Sequence, residues 1–338
     1  MQKHINIPYF VPHEGCPHDC AFCSQRKITG VNTCGVNTQE RERFHKTVQQ
    51  SLATAQSGAF VEIAFFGGSF TGIEPERMEQ LLSWAYEYVK AGSVQGIRIS
   101  TRPDYIDSQI LDTLKHYGVT AIELGVQSMS DNVLQACDRG HTAADTIAAA
   151  KLIKQYGFSL GCQMILGLPE SDCETEVMTA REMVALGADC VRIYPILVIE
   201  GTKLFSMRAR GSYEPPSIDE LVLRGAKCLR IFLDNGVKVL RMGLQSSEEL
   251  IKSTEYEPAY GELVWNRLYL EALEKALQNK IPLTESIVTM TVTKGDISKA
   301  VGQNKKNTEY LKKKYGIKQL KFKEEPSLKV GEVQINKD

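Results

Sequence analysis

Residues 5–23, INIPYFVPHEGCPHDCAFC, set a short apolar run directly before three closely spaced cysteines. The run at 5–11 is rich in β-branched and aromatic residues and reads as a strand. The segment after it, 12–38, reads as a loop. That loop carries no GxGxxG turn of the kind that opens a dinucleotide-binding sheet. It carries Cys16, Cys20 and Cys23 instead. Three thiols on one loop can converge on a single ion or cluster, and three ligands leave a coordination position open. Spacing alone also allows a zinc site with His18, Cys34 or a distant residue as the fourth ligand.

Downstream, strand and helix alternate. VEIAFFGG (61–68), GIRIS (96–100), TAIELGVQ (120–127), SLGCQMILG (159–167) and DCVRIYPILV (189–198) read as strands. Helical patterns at 39–57, 75–91, 107–117, 130–137, 142–156 and 172–187 separate them. With residues 5–11 this makes six strands. Parallel neighbours need a crossover at this spacing, so the sheet is parallel. Ligands bind at the C-terminal edge of such sheets. The cysteine loop at that edge favours a partial (β/α)6 barrel, an α/β fold, over a doubly wound sheet. After residue 198 the pattern changes: helices at 217–235 and 258–279, a short strand at 237–241, a strand at 285–293 and a helix at 303–315. The division expected is a barrel over 1–200, a smaller α+β extension over 201–280 and a basic segment over 281–338.

The 338 residues are 43% hydrophobic and 24% charged, with a formal net charge of −1, which describes an ordinary globular protein. No signal-peptide pattern and no apolar window of membrane-spanning length occurs, so a cytoplasmic location is expected. The nine cysteines are an odd and mostly scattered set, unlike a secreted disulfide framework. Cys137, Cys162, Cys173, Cys190 and Cys228 have no partner spacing and read as small hydrophobes. Charge is uneven: residues 294–323 hold ten lysines and two acidic residues. Lysines 305, 306 and 312–314, with Tyr310 and Tyr315, are candidates for RNA contact; a solvated helix face is the alternative.

The Cys-x3-Cys-x-Phe-Cys loop after a first strand resembles the signature of the radical S-adenosylmethionine (SAM) superfamily. FFGGSFTG (65–72), STRPDYI (100–106), IELGVQS (122–128), DRGHT (138–142), ILGLPES (165–171) and IYPILVIEGTKLF (193–205) are similar to segments of the radical SAM domain of the Elongator catalytic subunit. The resemblance runs in order over about residues 5–245 and does not include that subunit's acetyltransferase domain. It implies a 4Fe-4S cluster on Cys16, Cys20 and Cys23. It also implies SAM chelating the open iron, reductive cleavage to a 5′-deoxyadenosyl radical, and a protein reductant such as a flavodoxin or ferredoxin. The substrate is unidentified, with tRNA or another RNA as the candidate class. A noncatalytic RNA-binding or scaffold protein with a structural metal is the second reading.

By the same resemblance, Gly67 and Gly68 meet the methionine amine through backbone carbonyls, and Arg139 clamps its carboxylate. Gln163 contacts ribose, backbone near Tyr194 and Pro195 meets adenine, and Phe22 packs beside the nucleoside. Glu123 is a carboxylate inside an apolar run and must face a polar cavity or a partner. Gln127, four residues on, is expected on the same face and directed with it toward SAM. Arg102 and Asp104 either line the substrate side or pair with each other. His141 orients its neighbours. No catalytic residue is assigned.

Overall fold

The computed structural model describes residues 4–11, 16, 20–24, 38–244, 250, 256–278 and 287–336. Seven parallel strands form one sheet in sequence order: β1 (His4–Val11), β2 (Phe60–Gly67), β3 (Gly96–Thr101), β4 (Val119–Gln127), β5 (Ser159–Leu166), β6 (Cys190–Pro195) and β7 (Lys238–Met242). The partial barrel expected from the sequence is present, with one strand more than the six. β7 comes from the stretch assigned to the extension, and it pairs with β6 from Cys190 to Ile193.

The crossover helices begin where their sequence provides a start. α1 (Thr38–Thr54) links β1 to β2. α2 (Pro75–Lys90) opens on a proline and buries Met78, Leu81, Leu82, Trp84 and Ala85, because proline fits a first turn that needs no N–H donor. α3 (Ser108–His116) is capped by Asp107, which accepts from Ile110 N at 2.8 Å. α4 (Asp131–Ala136) and α5 (Ala143–Gln155) follow β4; α5 starts on a capping box of Thr142 and Asp145, satisfying two otherwise orphaned backbone donors. α6 (Cys173–Ala185), α7 (Lys203–Ala209) and α8 (Ile218–Asp234) complete the barrel's cover.

The two faces of the sheet differ. Ile63, Phe65, Ile97, Ile99, Ile122, Leu124, Leu160, Met164, Val191 and Ile193 alternate along the strands into one apolar core with the helices. The residues between them meet across the opposite, concave face. There, six consecutive strands each contribute at least one polar side chain to a connected network. His4 Nε2 lies 2.7 Å from Glu62 Oε2, and Arg98 donates to that same oxygen at 2.8 Å and 3.0 Å. Arg98 also reaches Glu123 Oε1 at 3.4 Å. Arg192 forks Glu123 at 2.6 Å and 3.1 Å, and Gln163 donates to Glu123 Oε2 at 2.9 Å. Gly161 makes this possible: a Cβ there would lie 2.6 Å from Glu123 Cγ. Burial alone would raise the Glu62 carboxyl, but Arg98 and the Thr120 hydroxyl bring it below its usual range.

A second, three-stranded sheet follows α9 (Tyr260–Gln278). Its central strand β8 (Ile287–Val292) lies between β9 (Gln319–Glu324), parallel to it, and β10 (Val333–Asn336), antiparallel. α10 (Ile297–Val301) and α11 (Lys306–Tyr315) connect β8 to β9. The unit is fixed to α9 by Leu268, Tyr269 and Leu273 in the common core and by Asn307, which donates to Asn266 O at 2.8 Å.

Removing one partner of a buried ion pair leaves an uncompensated charge, at a cost of about 3–5 kcal/mol. Arg98→Met is therefore expected to destabilise the barrel by about that amount in equilibrium denaturation, and Glu62→Leu combined with Arg98→Met to regain much of it. Additive losses in the double variant would contradict this coupling.

Candidate functional site

The cysteine loop is held to the sheet edge by its backbone. Ala21 N donates to Cys137 O at 2.9 Å, at the end of α4, and Leu204 N in α7 donates to Ala21 O at 2.7 Å. Cys23 N closes a turn onto Cys20 O at 2.9 Å. Cys20 is buried, while Cys16 and Cys23 are half-buried. Burial raises the Cys16 thiol above its usual range; the Arg139 charge opposes this and the nearby Cys20 adds to it. Among the described residues, no three His, Cys, Asp or Glu side chains are closed around a metal-sized space. His18 and Cys34 lie outside the described residues.

Above the loop, residues from successive strand ends meet. Gly67 ends β2 with φ +118°, and Gly68 N donates to Val11 O at 2.9 Å, a backbone shape open to glycine. Arg102, 2% exposed, grips Asp104 at 2.9 Å and 2.8 Å. The local pairing of these two is therefore realised, and Arg102 Nη1 is buried without a partner among the described residues. Arg139 donates to Cys20 Sγ at 3.3 Å and to Gly125 O at 2.7 Å, and its buried Nε has no partner among the described residues. A Cβ on Gly125 would lie 2.8 Å from Arg139 Nη2 and 2.9 Å from Gln127 Nε2. The bare glycine thus lets both side chains close over the end of β4.

Gln127 sits at an irregularity of the sheet: the β4–β5 register shifts between Leu124 and Gln127, and Gln127 has φ +66°. The period-two rule counted from Glu123 is interrupted there, while Gln127 Nε2 stays within 2.9 Å of where a Cβ of Gly125 would stand. Gln127 Oε1 is buried without a partner among the described residues, and a left-handed glutamine is a strained position. His141 is buried, and neither ring nitrogen finds a partner at normal hydrogen-bond geometry among the described residues. Burial pushes its pKa down to about 4, helped by Arg139 and Arg102, with the Val126 backbone opposing.

Glu123 is 1% exposed, and both its oxygens are engaged by Arg98, Arg192 and Gln163. Gln163 is further tied to Ser100 Oγ at 3.0 Å. Both therefore belong to the concave network, one layer below the loop residues. Tyr194 and Pro195 are half-buried at the end of β6, and Phe22 packs half-buried against the common core. Sequence reasoning singles out Glu123 but misses Glu62, Arg98 and Arg192. The same signal marks them: one charge in an otherwise apolar strand, in VEIAFF, GIRIS and CVRIY. Arg192 also lies over the Phe66 ring at 5.0 Å.

Burial pushes the Cys137 thiol up to about 12 and the Cys190 thiol up to about 11, and it raises Cys162 and Cys228 as well. These four stay protonated and unreactive, in keeping with core residues. In the basic segment, Lys299, Lys312 and Lys314 pair with Asp296, Glu309 and Glu274. Lys305, Lys306, Lys313, Lys318, Lys321 and Lys323 are exposed. No helix among the described residues is long and apolar enough to cross a membrane.

Comparison with known proteins agrees with this geometry. Residues 10–180 match the family model of the radical SAM superfamily, and residues 188–269 match the radical SAM C-terminal domain. Elongator complex protein 3 of Dictyostelium discoideum is 36% identical over 262 residues, covering 65% of this chain and 46% of that protein. A tRNA uridine(34) acetyltransferase of Methanocaldococcus jannaschii is 39% identical over 127 residues, 37% of this chain and 24% of that one. The chain thus spans about half or less of the length of these relatives. The structure of Methanocaldococcus infernus Elp3 with an N-terminal deletion superposes with a TM-score of 0.61 at 22% identity, covering 81% of this chain and 64% of that one. That likeness concerns the fold. A matched family model spanning half the sequence, with the cysteine loop at the expected strand edge, identifies the chain as a member of the radical SAM superfamily of enzymes.

Proposed function

We propose that the chain binds a 4Fe-4S cluster through Cys16, Cys20 and Cys23, cleaves SAM at it, and directs the resulting radical at an RNA, tRNA being the candidate. The carrying observation is a group of buried polar atoms beside the cysteine loop that have no partner among the described residues: Arg102 Nη1, Gln127 Oε1, Arg139 Nε and both nitrogens of His141. Five such atoms in one place are costly unless a polar ligand completes them. Three thiols suit iron–sulfur ligation with one position left open. Donors, an acceptor and a neutral imidazole suit a zwitterion with a ribose. The residues fit the two groups that membership of the superfamily implies.

Bound there, cluster and SAM would supply a 5′-deoxyadenosyl radical that takes a hydrogen atom from substrate. The chain's own part is positioning and exclusion of water. Cys16, Cys20 and Cys23 hold the iron. The Gly67–Gly68 turn offers backbone carbonyls to an ammonium, and the unpartnered Arg139 Nε is a donor for a carboxylate. Gln127 offers a carbonyl oxygen, and Phe22 an apolar wall. Arg98, Arg192 and Gln163 hold Glu123 rigid beneath, so Glu123 and Gln163 reach SAM only through whatever capacity the network leaves. A flavodoxin or ferredoxin would deliver the electron, in the cytoplasm. The exposed lysines of the 281–338 segment would meet phosphates, and the tRNA-acting relative's name supports that substrate class.

Anaerobic reconstitution with iron and sulfide, followed by dithionite and SAM, is expected to yield 5′-deoxyadenosine. Alanine at Cys16, Cys20 or Cys23 should lower the yield at least about a hundredfold, given that cofactor chemistry is lost outright. Iron retained by the triple variant, with no deoxyadenosine from the wild type, would overturn the reading. For the RNA arm, tRNA binding should weaken with salt. Replacing Lys313, Lys318 and Lys321 by glutamine should flatten the log–log salt slope by about 1 for each phosphate no longer neutralised. An unchanged slope would remove this surface from the proposal.

His141 adds a pH signature. Its pKa near 4 lies below the ordinary 6.5. Below the ordinary value the unfolded chain takes up a proton that the fold refuses. Stability is therefore full above pH 6.5 and falls as pH drops toward 4, by up to about 3 kcal/mol. Denaturation of the cluster-free protein should show this loss, and His141→Phe should show a shallower one. Equal pH dependence in both would contradict a buried neutral imidazole.

A further inference from the structure

Arg139 is buried, and among the described residues no carboxylate lies within ion-pairing distance of it. The other deeply buried arginines each have one: Arg98 has Glu62 and Glu123, Arg102 has Asp104, Arg192 has Glu123 and Arg224 has Glu176. A buried guanidinium without a counter-charge is expensive. The side-chain partner within reach is sulfur: Arg139 Nη1 donates to Cys20 Sγ at 3.3 Å, while Nη2 is fixed to Gly125 O at 2.7 Å. The absent Cβ of Gly125 is what seats the guanidinium there, since a methyl group would come within 2.8 Å of Nη2.

We propose that Arg139 is a positioning residue for the cluster itself, whose charge and N–H···S bond to Cys20 raise the cluster's reduction potential before any SAM is bound. The inference rests on the cysteine loop holding a 4Fe-4S cluster. One electron entering the cluster adds one negative charge, and a buried cation bonded to a ligand sulfur stabilises that reduced form more than the oxidised one. Hydrogen bonds to the sulfurs are among the factors that set such potentials. The role differs from clamping a carboxylate through the unpartnered Nε, and one side chain has the atoms for both. Arg102 contributes less, because Asp104 balances its charge.

The test is an EPR-monitored dithionite titration of the reconstituted full chain without SAM. Arg139→Gln is expected to lower the equilibrium constant for reduction about tenfold, which for a one-electron couple is about 59 mV. Arg139→Lys, which keeps the charge, should fall clearly less. Gly125→Ala keeps Arg139 but dislodges it, so it should also lower the potential, which keeps the idea testable if Arg139→Gln loads poorly. Potentials equal to wild type in cluster-loaded Arg139→Gln or Gly125→Ala would overturn the proposal. So would Arg139→Lys falling as far as glutamine. These results leave SAM cleavage by the wild type as a separate measurement, so failure here is distinct from failure of the cluster reading.

Discussion

Parallel pairing is the constraint on which the rest depends. Seven strands running the same way bring all their C-terminal ends to one edge, and every loop that leaves them must start there. Cys16, Cys20 and Cys23 follow β1, Gly67 and Gly68 end β2, Arg102 follows β3, and Gln127 ends β4. Residues more than a hundred positions apart become neighbours without any long-range design beyond strand order. Arg139 and Cys20 are the clearest case, 119 residues apart and hydrogen-bonded.

The concave face solves a second problem. A barrel that is open to a ligand at its edge cannot fill its interior with apolar side chains alone and still present polar groups there. This chain places two carboxylates and two guanidiniums below the edge, each charge paired. Such pairs add little net stability compared with an apolar filling. They do give fixed geometry, because each oxygen of Glu123 has its own donors. The layer above is the opposite: donors and acceptors are buried there without partners among the described residues. The contrast between a saturated floor and an unsaturated rim separates scaffold from candidate site.

Much of this is legible in the sequence. Strand–helix alternation locates the barrel because buried parallel strands are continuous apolar runs, which leave a strong pattern. The cysteine spacing and the strand-end motifs locate the rim. What is not legible depends on three-dimensional register. β7 is short and only half-buried, so its apolar signal is weak, and nothing local announces that it pairs with β6. The irregularity before Gln127 shifts the strand register and twists the backbone in a way that composition does not reveal. Glu123 reads as a ligand contact in the sequence because its partners Arg98 and Arg192 lie on other strands, and only the sheet brings them together. The lysine-rich stretch reads as a mere segment, yet it wraps a small sheet of its own, with Val288, Met290 and Leu311 in the common core.

The central claim is that the open position left by three cysteines receives SAM at the rim of the barrel. The most direct measurement is electron–nuclear double resonance of the reduced, reconstituted chain with SAM labelled in its amine nitrogen and carboxylate oxygen. The account predicts hyperfine coupling from both labels to the cluster, abolished when Cys16, Cys20 or Cys23 is replaced. A reduced cluster with no coupling from either label, or a protein that takes up zinc and forms no cluster, would contradict it.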